Sequence, residues 1–86
     1  MSDNFVTLYT TLWCPFCQRL TKALNKANMP YTNIDVDHDA EAAAWVESVN
    51  DGNRVVPTVL YSDGTYATNP PAKSVLSTYN RLLAAG

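Results

Sequence analysis

The order in which apolar patterns follow one another along the chain constrains its fold more than any other sequence feature. Short runs of β-favouring residues, starting with 5–9, alternate with stretches whose apolar residues repeat at helical spacing, starting at Pro15. The predicted order is strand, helix, strand, helix, strand, hairpin, strand, helix. A strand–helix–strand unit connects two parallel strands in a right-handed manner. We therefore predict an α/β fold in which three helices cover the two faces of a four-stranded mixed sheet.

Local signals set the bounds of these elements. Asn28 and Pro30 end the first helix, and Asp37 or Asp39 caps the second. The Asp-Gly pair at 63–64 is a strong signal for a hairpin. The predicted strands are 5–9, 31–36, 55–61 and 65–68, and the predicted helices are 15–27, one from its cap to about 49, and one that opens at 69–71.

Composition limits the classes of function. The chain has 86 residues and a net charge of -2, so we expect a single domain over 1–86 with no basic surface for nucleic acid. No apolar run approaches the roughly 20 residues of a membrane span. The first residues also lack the basic and then apolar pattern of a secretion signal. We therefore expect a cytoplasmic monomer without membrane or nucleic-acid partners.

The two cysteines lie in one motif, Cys14-Pro15-Phe16-Cys17, where the first strand meets the first helix. A cysteine at a helix N-terminus faces unpaired amide N–H groups and the positive end of the helix dipole, and both stabilise a thiolate. Pro15 suits the first helical position. Cys17 shares the apolar face of Leu20. The motif therefore predicts an exposed, activated Cys14 and a sheltered Cys17 with a raised pKa.

Such an asymmetric pair indicates thiol–disulfide exchange. Cys14 would attack a disulfide, and either Cys17 or a small thiol would resolve the mixed disulfide. Three other interpretations stay open. A structural disulfide would close too short a loop to constrain much, a metal site would have only His38 as a further ligand, and both cysteines could lack a role.

Val56-Pro57 is the second informative feature. A cis bond there would turn the backbone groups of Val56 toward the thiols, where an extended substrate could pair with them. A trans proline that merely begins the third strand is equally compatible with the residues alone.

With these residues in place, the chain resembles the glutaredoxin branch of the thioredoxin superfamily. Trp13-Cys14-Pro15-Phe16-Cys17 is similar to the glutaredoxin active-site segment, and Val56-Pro57 is similar to the element that carries the family's cis-proline. The resemblance extends from Phe5 to the last helix. It implies the thioredoxin/glutaredoxin fold with sheet order 2-1-3-4, and it favours a cis Pro57.

The departures from the family pattern concern the small thiol. Glutaredoxins that use glutathione usually carry a basic residue where this chain has Thr11, and a Gly-Gly pair and an Asp where it has Thr68-Asn69-Pro70-Pro71. The segments 9–14, 51–58 and 63–70 are most similar to mycoredoxins, the relatives found in bacteria that use mycothiol.

The mycoredoxin resemblance implies reduction of mixed disulfides between client proteins and mycothiol. Cys14 would accept mycothiol, and a second mycothiol, regenerated by an NADPH-dependent reductase, would release it. Clients would be mycothiol-modified or disulfide-containing proteins, no cofactor would be bound, and glutathione would be the less favoured co-substrate. The competing functions are a hydrogen donor reduced by thioredoxin reductase, which needs both Cys14 and Cys17, and a metal or iron–sulfur carrier.

Candidate substrate contacts surround the thiols. Mycothiol has a sugar–inositol body, so hydroxyl and amide groups at Thr10, Thr11 and 68–69 could bind it. Arg54 either acts on the thiol or an anionic partner, or is a solvated loop residue. Trp13 contacts partners or packs. The candidate substrate-binding residues are Trp13, Pro15, Phe16, Arg54, Val56, Pro57, Thr68 and Asn69.

Overall fold

The computed structural model describes residues 5–85. Residues 1–4, which belong to the N-terminal stretch expected to lack a targeting signal, and Gly86 lie outside the described residues. The elements are β1 (Val6–Thr10), α1 (Pro15–Lys26), β2 (Thr32–Asp35), α2 (Ala40–Ser48), β3 (Thr58–Tyr61), β4 (Tyr66–Thr68) and α3 (Ala72–Ala85).

The four strands form one sheet in the order β2-β1-β3-β4. β1 runs parallel to β2 and antiparallel to β3, and β3 pairs antiparallel with β4. The predicted strand order, the mixed pairing and the three helices are therefore confirmed. Within residues 5–85, none of the helices combines the length and the apolar content that a membrane crossing requires.

The third strand is shorter than predicted. It begins at Thr58 rather than at 55, because Pro57 has no N–H to donate to a neighbouring strand. The Val56–Pro57 peptide bond is cis, as the family resemblance favoured. Residues 53–57 lie outside the strands, in a loop. The predicted bounds of β2 and β4 are also each too long by one or two residues.

Side-chain alternation along β1 divides the core into two layers. Leu8 belongs to the cluster in which Leu24 of α1 and Val75 of α3 are buried, whereas the next residue, Tyr9, packs with Val46 of α2. Successive residues of a strand point to opposite faces of the sheet. Thus α1 and α3 cover one face of the sheet, and α2 covers the other. Packing against the sheet holds α1 in place, and its first turn follows the end of β1.

The start of α2 decides between the two predicted caps. The carboxylate of Asp39 accepts the backbone N–H of Ala42 at 3.0 Å, so Asp39 is the N-cap. Asp37 is therefore available for another contact, and that contact lies at the candidate site.

Candidate active site

Cys14 is the N-cap of α1. Its Sγ accepts a hydrogen bond from the backbone N–H of Cys17 at 3.2 Å, and Pro15 occupies the first turn. The sulfur therefore lies at the positive end of the helix, as predicted, where amide groups stabilise negative charge. From the other side, the thiol donates a long hydrogen bond to the Val56 carbonyl, with 3.8 Å between sulfur and oxygen. The two sequence features of interest thus meet at one sulfur atom.

The prediction that Cys14 is exposed is wrong. Its relative exposure is 4%, against 2% for Cys17. The sulfur turns inward to cap the helix, and the loop that carries Val56 covers it. Cys14 nevertheless belongs to neither of the two hydrophobic clusters formed by the described residues. It lies at the edge of the core, beside the exposed side chains of Trp13 and Phe16.

Cys17 behaves as predicted for the sheltered thiol. Burial raises its pKa from 9.0 to about 12, and its hydrogen bond to Cys14 adds to this, against a smaller opposing effect from the backbone N–H of Thr11. Both cysteines are free thiols. The side chains of Cys14 and Cys17 lie within hydrogen-bonding reach of each other.

Arg54 is directed toward carboxylates. Its Nε and Nη2 each lie 3.1 Å from Oε2 of Glu47, and its Nη1 lies 3.7 Å from Oδ1 of Asp37. The other oxygen of Asp37 accepts the indole N–H of Trp13 at 3.0 Å. Arg54 thus belongs to a surface network that connects the active-site loop to α2, and its charge is neutralised there.

Sequence reasoning missed Asp37 as a site residue. It considered this carboxylate only as a helix cap, whereas the structure uses it to hold Trp13. A signal did exist, because Asp37 follows β2 and Trp13 follows β1, and the ends of two adjacent parallel strands meet at the same edge of a sheet.

A groove of about 350 Å³ runs between α1 and the start of α3. Phe16 and Asn69, far apart in sequence, both line this groove. The backbone N–H of Asn69 donates to the Pro57 carbonyl at 2.7 Å. The guanidinium carbon of Arg19 lies 5.8 Å from the centre of the Phe16 ring. We call this the Phe16 groove, and its main lining residues are Phe16, Arg19, Asn69, Pro70, Pro71 and Ala72.

The threonines expected to contact the small thiol have other surroundings. Thr68 donates its hydroxyl hydrogen to Asn50 at 2.7 Å, which leaves only acceptor capacity. Thr10 donates to Asn33 at 2.7 Å and is buried. Thr11 is buried and does not line the Phe16 groove. Of the polar groups proposed from the sequence, Asn69 lies on the groove.

A comparison with models of known protein families identifies the family of this chain. The family model of Glutaredoxin matches residues 6–66 of the chain. The chain belongs to the glutaredoxin family. Its Cys14–Cys17 motif and the cis Val56–Pro57 bond lie within the matched region.

Individual relatives of this glutaredoxin support the same conclusion. Mycoredoxin 1 of Corynebacterium glutamicum is 60% identical over 72 residues, which cover 84% of this chain and 89% of that protein. The crystal structure of the thioredoxin-like protein BC3987 has a TM-score of 0.70 at 26% identity, and the match covers 85% of this chain and 97% of that one. The glutaredoxin of Archaeoglobus fulgidus has a TM-score of 0.66 at 21% identity, covering 90% and 87%, and it shows the fold. This glutaredoxin is a thiol–disulfide oxidoreductase.

Proposed function

We propose that this glutaredoxin reduces mixed disulfides between proteins and mycothiol, with Cys14 as the nucleophile. The observation that carries the proposal is the position of the Cys14 sulfur. It accepts a hydrogen bond from the backbone N–H of Cys17 in the first turn of α1, and it lies against the Val56 carbonyl. The 60% identity to Mycoredoxin 1 supports mycothiol as the small thiol.

The proposed reaction consists of two exchanges at Cys14. Its thiolate attacks the mycothiol sulfur of the mixed disulfide, and the client protein leaves as a thiolate that takes up a proton. The thiolate of a second mycothiol then attacks the mycothiol sulfur bound to Cys14. This releases mycothiol disulfide and the Cys14 thiolate, and an NADPH-dependent reductase returns the disulfide to two thiols. Cys17 takes no part in this route.

The Phe16 groove fits the body of mycothiol. Its walls are largely apolar, and the ring of Phe16 with Pro70 and Pro71 offers flat surfaces for the C–H faces of a sugar. The Asn69 amide can exchange hydrogen bonds with hydroxyl groups. Among the residues that line the groove, Arg19 carries the one charge. A γ-glutamyl group carries both a carboxylate and an ammonium, so glutathione fits this groove less well.

The client protein would lie on the opposite side of Cys14. The backbone of Val56 is available for an extended client segment, and the exposed ring of Trp13, held by Asp37, forms the adjacent wall. We propose that Pro57 shapes this edge and that Pro15 fixes the first turn of α1. The reaction needs a reduced pool of small thiols, which is typical of the cytoplasm.

The test is a coupled NADPH assay on the full chain. A mixed disulfide between mycothiol and a model protein is supplied with mycothiol and its reductase, and the glutathione conjugate is supplied in parallel with glutathione and its reductase. We expect faster turnover with the mycothiol system, loss of activity in Cys14→Ser, and retained activity in Cys17→Ser. Clear preference for the glutathione system would overturn the choice of thiol.

A third arm of the assay uses thioredoxin reductase as the electron source. Strong activity there, abolished in Cys17→Ser, would instead favour the dithiol hydrogen-donor function. If Cys14→Ala and Cys17→Ala were both inactive, this result would also favour the dithiol hydrogen-donor function.

A further inference from the structure

The side chain of Asn50 joins the end of α2 to the start of β3 and the end of β4. Its amide nitrogen donates to the carbonyl of Val46 in α2 at 2.8 Å and to the hydroxyl of Thr58, the first residue of β3, at 3.3 Å. Its amide oxygen accepts the hydroxyl hydrogen of Thr68, the last residue of β4, at 2.7 Å. The Val46 carbonyl can only accept a hydrogen bond, so the nitrogen of Asn50 faces it and the oxygen faces Thr68.

The bond to Thr58 continues into the loop that carries Val56. Thr58 is fully buried, and its hydroxyl donates to the Val55 carbonyl at 2.8 Å while it accepts a hydrogen from Asn50. The residue after Val55 is Val56, whose backbone forms the edge at which we propose that a client segment pairs. We call this series of hydrogen bonds, from Asn50 through Thr58 to Val55, the client arm. It fixes the backbone immediately before the client edge.

The bond to Thr68 holds one wall of the Phe16 groove. Thr68 directly precedes Asn69, which lines the groove and donates its backbone N–H to the Pro57 carbonyl at 2.7 Å. Asn69 has a φ of 48°, in the left-handed region that few residues other than glycine adopt. Such a conformation persists where surrounding bonds fix the backbone, and here these are the bond to Pro57 and the bond from Thr68 to Asn50. We call the bond between Asn50 and Thr68 the groove arm.

Both arms lie behind the binding surfaces. Thr58 and Thr68 are partners in the register of β3 and β4, so their side chains point to the same face of the sheet. This is the face that α2 covers, because Leu60, two residues after Thr58, packs against the core cluster that α2 contributes to. The Phe16 groove lies on the opposite face, and Asn50 is not among the residues that line it. Any effect of Asn50 on a bound substrate must therefore pass through the backbone that its arms hold.

We propose that Asn50 is a positioning residue for both substituents of the mixed disulfide. The client arm sets the edge at Val56, the groove arm sets the wall at Asn69, and one amide holds the two in a fixed relation. Cys14 then meets a disulfide whose client side and mycothiol side are both aligned for attack. Alignment of this kind speeds a reaction although no bond or proton passes through the residue that provides it. The inference rests on the proposed function, since it assumes that these two surfaces bind the client and mycothiol.

Two mixed disulfides of mycothiol separate the arms. One carries an unstructured peptide with a single cysteine, which can pair with the client edge. The other carries mercaptoethanol, which has no backbone to pair. In the coupled NADPH assay on the full chain, kcat/KM for each mixed disulfide reports the first exchange alone, because the second exchange follows release of the first product.

Substitutions that remove one hydroxyl at nearly constant shape break one arm each. Thr58→Val breaks the client arm, Thr68→Val breaks the groove arm, and Asn50→Ala breaks both. Thr58→Ser and Thr68→Ser keep the hydroxyl groups and should retain the wild-type values. Asn25→Ala is the matched control, because this asparagine accepts the hydroxyl hydrogen of Tyr31 at 2.8 Å in the last turn of α1, at the end of the helix opposite the thiols.

We expect Thr58→Val to lower kcat/KM about threefold to tenfold for the peptide conjugate, the scale of one lost hydrogen bond, and to leave the mercaptoethanol conjugate unaffected. Thr68→Val should cause a similar loss with both conjugates, because both carry mycothiol. Asn50→Ala should show both losses. Addition of Thr68→Val to Asn50→Ala should change nothing further, because the groove arm is then already broken. Asn25→Ala should match the wild type.

A Thr58→Val protein that loses the same fraction of activity with both conjugates would overturn the client arm and indicate a general defect of the fold. Wild-type kcat/KM in Thr68→Val would overturn the groove arm, and this exposed position keeps the test decisive even where Asn50→Ala does not fold. A further loss when Thr68→Val is added to Asn50→Ala would mean that Thr68 contacts the substrate itself, and it would refute the role of Asn50. A wild-type chain that reduces neither conjugate would instead count against the proposed function.

Discussion

Replacing Cys17 by Ser should make the protein less sensitive to alkaline pH. The thiol is neutral when protonated, and the folded protein keeps it so up to a pKa of about 12, whereas its ordinary value is 9.0. Between these values the unfolded chain loses the proton and the folded chain does not. The unfolded state then binds fewer protons, so the free energy of unfolding falls as pH rises through this window and is unaffected below it.

The size of the effect follows from that pKa difference. Each pH unit between 9.0 and 12 is worth about 1.4 kcal/mol, which gives about 4 kcal/mol when the whole window is crossed. Relaxation of the fold and penetration of water around a buried thiolate reduce this penalty, so we expect about 2 kcal/mol. This is a large share of the free energy of unfolding that a folded chain of 86 residues typically has.

Urea unfolding under reducing conditions, followed from about pH 8 to about pH 11, measures this loss. Burial also raises the pKa values of Tyr9 and Tyr61. The wild type and Cys17→Ser therefore both lose stability at alkaline pH because of these tyrosines. Those losses cancel in the difference between wild type and Cys17→Ser. A difference that stays constant with pH would refute the view that burial in the folded state keeps this thiol neutral.

Three further substitutions test the packing around the site. Asp37→Ala should release the Trp13 indole and shift its N–H resonance in NMR spectra, and an unshifted resonance would exclude the bond. Asn50→Ala removes three side-chain hydrogen bonds and should lower the free energy of unfolding by about 2 kcal/mol, whereas a neutral effect would mean that water replaces them. Leu24→Ala, at a fully buried position, should cost about 3 kcal/mol, with the exposed Leu83→Ala as its control; equal losses in urea unfolding would contradict the assigned core.

The fold was predictable because its signals are local and periodic. Leu20 and Leu24 recur on one side of α1, and both lie in the core that the spacing predicts. Proline at position 15 begins the helix where expected. The same is true of Cys17, whose place on the apolar face predicts its burial and raised pKa. Each of these properties depends on neighbours within a few residues, so the sequence carries them directly.

Contacts between distant segments could not be predicted in the same way. Thr68 donates its hydroxyl hydrogen to the side chain of Asn50, 18 residues away. The indole N–H of Trp13 donates to Asp37, 24 residues away. No periodic pattern marks such pairs. Arg54 is an example. Its position near Pro57 predicted a possible contact with the thiol, whereas in the structure the carboxylates of Asp37 and Glu47 pair with Arg54.

The two thiols are almost equally buried, yet their surroundings give them different chemistry. Cys14 is covered by polar backbone, the amide of Cys17 on one side and the carbonyl of Val56 on the other. The amide stabilises a charge on sulfur, and the carbonyl accepts a hydrogen bond from the thiol. The client segment that we propose to pair with Val56 would displace this carbonyl. Around Cys17 burial is the largest effect, and it raises the pKa of the thiol to about 12. Exposure alone would rank the two sulfurs as equals. The donors and acceptors around each sulfur distinguish Cys14, which we propose as the nucleophile, from Cys17, which keeps its proton at neutral pH.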